Sequence, residues 1–203
     1  MKIALSGSAG TGRTTIARKL SQVIDYPSLT NLAKAVLRDD EFKYGMGLTV
    51  EQFLCTPDRQ RMLAENKRVV ESHYESFVTD RSWLDLAAYC VQGMLEKEKF
   101  DISEFLNECQ EEVKKYDIII HIPWGRQPLQ PNGTRTIDPW FQLIIDSIIY
   151  RLAMLWDIKL ISPPSDLDND DILKWIIGHL KEIDSDLTFK EISINNENHE
   201  NIQ

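Results

Sequence analysis

The sequence predicts a three-layer α/β domain in which helices cover both faces of a parallel sheet. Three observations carry this expectation. Apolar runs of strand length alternate with amphipathic stretches of helix length along most of the chain. The first run, Lys2-Ile-Ala-Leu-Ser6, leads through a glycine-rich turn into a helical period. The run Asp117-Ile-Ile-Ile-His-Ile-Pro123 is apolar almost throughout, as a strand covered on both faces should be. Strands joined through helices pair in parallel by right-handed crossovers.

The elements follow in order. After the first strand and turn, Ile16, Ala17, Leu20, Val23 and Ile24 share one helical face. Asn31 to Arg38 reads as a short helix, and an acidic, glycine-containing loop runs on to Gly47. Thr49 caps a further helical stretch, with Gln52 at the capping-box position. Pro57 is expected to interrupt it, and a second segment to run from Asp58 to Tyr74. Ser76 to Asp80 is a short β-type run. Ser82 then caps a helix whose apolar face is Leu84, Ala87, Ala88, Val91, Met94 and Leu95. Another helix spans about Ser103 to Lys115. Beyond the Asp117–Pro123 strand, a helix from Pro139 to Trp156 is expected to bury Phe141, Ile144, Ile145, Ile148, Leu152 and Leu155. Asp157 to Ser162 reads as a last core strand and Asp168 to Glu182 as a last main helix. One domain over residues 1–192 is predicted, with residues 193–203 a disordered polar tail.

Composition narrows the function classes. A chain of 203 residues, 42% hydrophobic and 27% charged, suits one globular domain. Its net charge of -9 offers no long-range attraction to polymeric nucleic acid or anionic membranes. No apolar run is long enough to cross a bilayer, and the first residues read as a strand rather than a signal peptide. Cys55, Cys90 and Cys109 lack CxxC pairing, so reduced packing thiols and a cytoplasmic setting are expected. The four histidines show no metal-ligand spacing.

Chemistry enters at the first turn, Gly7-Ser8-Ala9-Gly10-Thr11-Gly12-Arg13-Thr14-Thr15. The spacing is that of a phosphate-binding loop, with Arg13 where lysine normally stands. Glycines let the backbone wrap an anion and present N–H groups to it, and the helix adds the positive end of its dipole. The site therefore predicts a nucleoside triphosphate, with the Thr14 hydroxyl on a magnesium ion. Arginine keeps the charge but replaces a compact ammonium by a planar fork, a change that binding tolerates better than fast turnover.

A second cluster is Thr79-Asp80-Arg81-Ser82-Trp83-Leu84-Asp85. A carboxylate at the carboxyl end of a core strand faces the ligand rim of such a sheet. Asp80 can organise the metal or accept a proton from an attacking hydroxyl, and Arg81 can hold an anion. A plain helix cap with a solvated Arg81 is the alternative.

Residues 1–162 resemble the small P-loop kinases. The resemblance rests on Gly7–Thr15, on Asp80-Arg81-Ser82 followed by Leu84-Asp85 and Ala88-Tyr89, and on the opening Asp138-Pro-Trp-Phe-Gln142. It extends to thymidylate-kinase-like nucleotide kinases and to the AAA-type group with nicotinamide riboside kinase domains and many phage-encoded members. It implies a P-loop NTPase fold with a five-stranded parallel sheet, and transfer of the ATP γ-phosphoryl group, with magnesium, to a small acceptor. It also implies a lid at about residues 124–138 carrying Arg126 and Arg135, which join Arg13, Asp80 and Arg81 as catalytic candidates. Two solvated arginines on an exposed loop are the alternative there.

By the same resemblance the acceptor lies near Arg38, Arg59, Gln60 and Asp80. Several arginines suit a monophosphate, since each charge-assisted hydrogen bond needs an anion. Phe42, Tyr44, Phe53 and Trp83 can stack a base or simply pack the core. Three readings stand open. One is a nucleoside monophosphate kinase, acting on a deoxynucleotide. A second is a kinase of a nucleoside, a nicotinamide-type riboside or a modified DNA base. The third is a nucleotide-binding switch or slow ATPase. A homodimer is left open.

Overall fold

Lys2–Ser6 forms β1, and burial of every residue after Lys2 makes it the centre of the sheet. In the computed structural model, which describes residues 1–30, 55–95, 101–130 and 136–190, β1 is flanked by two parallel neighbours. One is β3, Phe77–Thr79, and the other β4, Ile118–His121. Two residues, Ser28–Leu29, form β2 beyond β3 and complete the order β2-β3-β1-β4. Ala4 pairs with Thr79 and Ser6 with His121, so the carboxyl ends of three strands reach one rim.

Alternation along β1 separates two apolar layers. Ile3 and Leu5 pack with α1, Arg13–Ile24, and α6, Asn169–Ile183. Ala4 faces the other layer, which holds α2, Pro57–Ser72, and α3, Trp83–Leu95. That layer also takes α4, Ser103–Val113, and α5, Pro139–Leu155. The α1 face read from the sequence is buried throughout. Among the described residues no helix is long and apolar enough to cross a membrane. All three cysteines are free and buried, and burial pushes the Cys90 thiol up to about 12.

Three expectations are corrected. Among the described residues the sheet has four strands rather than five. Asp157–Ser162 contributes a single parallel bridge, Ile161 to Ile120, because Asp157 turns left-handed (φ 54°) and only Ile161 meets β4 in register. Its two hydrogen bonds are His121 N–H to Ile161 O, 2.8 Å, and Ile161 N–H to Ile119 O, 3.0 Å. The strand β2 has no counterpart in the sequence reading, since two residues carry no period. The segment expected from Asp58 to Tyr74 is α2: Pro57 occupies its first turn, where a missing N–H costs nothing, and residues 49–54 of the stretch expected before it lie outside the described residues. On α5, Ile144 and Leu155 are exposed rather than buried, while Phe141, Ile145 and Leu152 face the core as expected.

Several expectations lie outside the described residues. They are the short helix Asn31 to Arg38, the Thr49 and Gln52 cap, Phe42, Tyr44, Phe53, Arg135 and the tail 193–203.

Candidate phosphate-binding site

The turn after β1 needs its glycines for two separate reasons. Gly7, Gly10 and Gly12 have φ of 139°, 86° and 87°, a region costly for side chains. Close approach adds to this at two of them. A Cβ on Gly7 would lie 2.4 Å from the Ile122 carbonyl oxygen, and one on Gly12 2.8 Å from Asn169 Oδ1. Gly7→Ala should therefore abolish nucleotide binding while lowering the thermal midpoint by several degrees, as measured by calorimetry with and without ATP. Gly12 precedes α1 with no side-chain cap and no acidic residue in the first turn, so the helix offers its N-terminal N–H groups to an anion.

Around that turn, each motif residue has a distinct place. Thr11 Oγ1 donates to Ser8 O at 3.1 Å, closing the turn internally. The Ser8 hydroxyl is fully buried with no hydrogen-bond partner among the described residues. Ala9 and Gly10 are half-buried, and Thr15 is exposed on α1. Thr14 Oγ1 donates to Asp80 Oδ2 at 2.7 Å, across 66 residues of chain. Asp80 itself is buried just past β3. The two residues expected to share a metal are therefore neighbours. Two hard oxygen donors fit magnesium, which takes one or two protein ligands and fills its octahedron with water and phosphate.

Asp85 is the residue that sequence reasoning missed. It is fully buried beneath the turn and ion-paired to Arg13, whose side chain is 7% exposed. Its Oδ1 also accepts the Gly7 N–H at 3.2 Å, and Oδ2 accepts from Ser6 Oγ at 2.8 Å and Ser82 N–H at 2.7 Å. Ser82 Oγ lies 2.9 Å from the same oxygen and accepts the Leu84 N–H at 3.1 Å. This is a capping box at the start of α3, with aspartate in the reciprocal position. The Ser-x-x-Asp spacing signalled the cap, but not that its carboxylate would reach the phosphate turn.

A second polar cluster fixes the backbone beside Asp80. Lys67 on α2 donates to Arg81 O at 2.6 Å and Thr79 Oγ1 at 3.2 Å, and pairs with Glu71 at 2.6 Å. Glu71 in turn accepts from Tyr116 OH, 2.9 Å, and Trp83 Nε1, 3.3 Å. Burial, aided by the Glu71 carboxylate, raises the Tyr116 phenol well above its usual value. Trp83 is thus a core residue. The Arg81 guanidinium rests 5.1 Å from the Tyr89 ring centroid.

On the opposite flank, Arg126 donates to Leu167 O, and Asp168 caps α6 by accepting the N–H groups of Asp170 and Asp171. Burial lowers the Arg126 pKa, and the Asp168 carboxylate partly offsets this. With Asn169 against Gly12, these contacts set residues 167–169 beside the turn. His121 ends β4 and joins Asp146 of α5 at 3.0 Å, with Ser162 Oγ 3.3 Å from its other nitrogen. This holds α5 to the rim.

Of the acceptor candidates, Gln60 is fully buried on α2, whereas Arg59 is half-buried with Nη1 3.8 Å from Met62 Sδ. Arg38 and Arg135 fall outside the described residues.

Comparison with known proteins agrees with this geometry. A family model described as an AAA domain matches residues 2–161. Deoxyadenosine kinase from M. mycoides with bound dATP superposes with a TM-score of 0.62 at 16% identity, over 89% of this chain and 99% of that one. Thymidylate kinase from Candida albicans gives 0.61 at 11% identity, over 95% of each chain. The NadR protein in complex with NR gives 0.64 at 14% identity, where 95% of this chain covers 52% of that one. Among curated proteins none matches. The strand-turn-helix with its glycines and the residues 2–161 that the family model matches have one conclusion: this chain belongs to the AAA domain family, on the P-loop kinase fold.

Proposed function

We propose that the protein transfers the γ-phosphoryl group of ATP to a nucleoside monophosphate, a deoxynucleotide, in a reducing cytoplasmic setting that suits its buried thiols. The contact that carries this reading is Thr14 Oγ1 to Asp80 Oδ2, which sets a metal-type oxygen pair beside an anion-binding turn. Phosphoryl transfer needs positioning and charge stabilisation rather than a covalent nucleophile. Turn N–H groups and Arg13 would hold the β- and γ-phosphates. Arg81, Arg126 and Arg135 would meet charge developing on the transferred group, and Arg38, Arg59 and Gln60 the acceptor. Thr14 and Asp80 would hold magnesium, whose charge would offset that of the phosphates.

A nucleoside or riboside acceptor is the second reading, favoured by the likeness to a deoxyadenosine kinase and to NadR in complex with NR. ADP formation is measured with ATP, magnesium and a panel of monophosphates, nucleosides and ribosides. One ADP per phosphorylated monophosphate supports the first reading, and the same stoichiometry with a nucleoside the second. Hydrolysis that ignores every acceptor overturns both.

A further inference from the structure

We propose that Asp85 is a positioning residue that makes arginine, rather than lysine, the working cation of this turn; the inference rests on the turn binding ATP. The carboxylate is completely buried, and both oxygens are already engaged by Ser6, Gly7 and Ser82 as well as Arg13. Such a group cannot rotate out to meet a ligand. Arg13 comes to it instead, crossing so close to Gly7 that its Cδ would lie 3.6 Å from a Cβ there. A guanidinium carries five N–H donors in one rigid plane. Held at Nη1 by Asp85, it retains N–H donors on its other nitrogens for a phosphate oxygen. An ammonium carries three N–H donors, but all on one nitrogen. Lysine facing Asp85 is lost to the nucleotide, and lysine facing the nucleotide leaves a buried carboxylate short of a countercharge. The departure from the usual motif and the carboxylate beneath it are one device.

Calorimetric titration with ATP and magnesium tests this on wild type, Arg13→Lys, Arg13→Met, Asp85→Asn and the Arg13→Met/Asp85→Asn double variant. Arg13→Lys and Asp85→Asn should each weaken ATP binding about tenfold. Arg13→Met should weaken it further, and adding Asp85→Asn to it should change affinity less than twofold while recovering part of the lost thermal midpoint. Losses that multiply in the double variant, or lysine binding ATP as tightly as arginine, overturn the proposal even if wild type turns over normally. Should Asp85→Asn not fold, the Arg13→Lys result alone decides. A wild-type chain that binds no ATP overturns the functional reading first and this inference with it.

The geometry also points to a docking surface for a second copy of this chain on α5. Ile137, Trp140, Ile144, Tyr150, Met154 and Leu155 are all exposed, Trp140 by 68%. Each is at least 42% exposed, and pairing would bury them toward the ~800 Å² per partner of a stable interface. Two pairs of them, Trp140 with Met154 and Ile144 with Tyr150, are spaced symmetrically about Ser147. Antiparallel pairing of two α5 helices there sets Trp140 against Met154 and Ile144 against Tyr150, an isologous two-fold contact. Ser147 is small enough for close approach, and its hydroxyl is already satisfied by Leu143 O at 2.7 Å. Arg151 is an exposed charge within this stripe, and the exposed Asp138 lies at its start between Ile137 and Trp140.

Light scattering should show a dimer, Trp140→Glu should make it monomeric, and Ser147→Cys should give a disulfide-linked dimer on oxidation, with the native thiols buried. A monomeric wild type overturns this surface as a self-contact, whatever else it binds. A dimer that survives both Trp140→Glu and Met154→Glu does the same.

Discussion

Asp80→Asn should lower the rate of phosphoryl transfer by about a hundred- to ten-thousand-fold with the fold intact. Asparagine matches aspartate in shape, and its carbonyl can still accept the Thr14 hydroxyl that now lies 2.7 Å from Oδ2. What disappears is the negative charge, and with it both roles open to the carboxylate: metal ligand and proton acceptor. Thr14→Ala separates them. It removes the proposed metal ligand and its hydrogen bond to Asp80 but keeps the carboxylate charge, so it should raise the magnesium concentration needed for half-maximal rate more than it lowers the rate at saturating magnesium. Steady-state kinetics over a magnesium series reads both variants. Near wild-type turnover in Asp80→Asn would remove this residue from the chemistry.

Lys67→Met should destabilise the protein by about 3–5 kcal/mol, which for a chain of this length is a fall of roughly 10 °C in thermal midpoint. Lys67 is 2% exposed and holds three partners at once: Glu71, Thr79 and the Arg81 carbonyl. Methionine fills the space but leaves the Glu71 carboxylate with only Tyr116 and Trp83 as donors. Adding Glu71→Gln should recover most of the loss, because the penalty comes from an uncompensated charge rather than a missing contact. Differential scanning calorimetry of both variants measures this. The single variant should also slow turnover, since the freed carbonyl follows Asp80 directly in the chain.

Much of the fold was legible because burial leaves a period in sequence. Ile16, Ala17, Leu20, Val23 and Ile24 recur at helical spacing, and all are buried against the sheet. Residues 118–120 of β4 are apolar in an unbroken run because helices cover both faces. The errors have equally local causes. Ser28–Leu29 is too short to show a period, so β2 was invisible. Asp157–Ser162 has strand composition, but whether such a run pairs over its length depends on a neighbour and on the turn that delivers it. Ile144 and Leu155 are apolar yet exposed, since composition reports that a side chain avoids water but not which surface will cover it.

The site divides along the same line. Residue order alone determined the anion-binding turn, because only glycines adopt positive φ at Gly7, Gly10 and Gly12 without strain and a helix must follow. It also marked Asp80 through its place at a strand end. Tertiary structure alone decided that Thr14 and Asp80 meet, that Lys67 clamps the Arg81 carbonyl, and that Asp85 reaches under the turn to Arg13. Those contacts join residues 14 to 72 positions apart. No local propensity encodes such a pairing; the register of β1 against β3, and the packing of α2 and α3 on that sheet, create it.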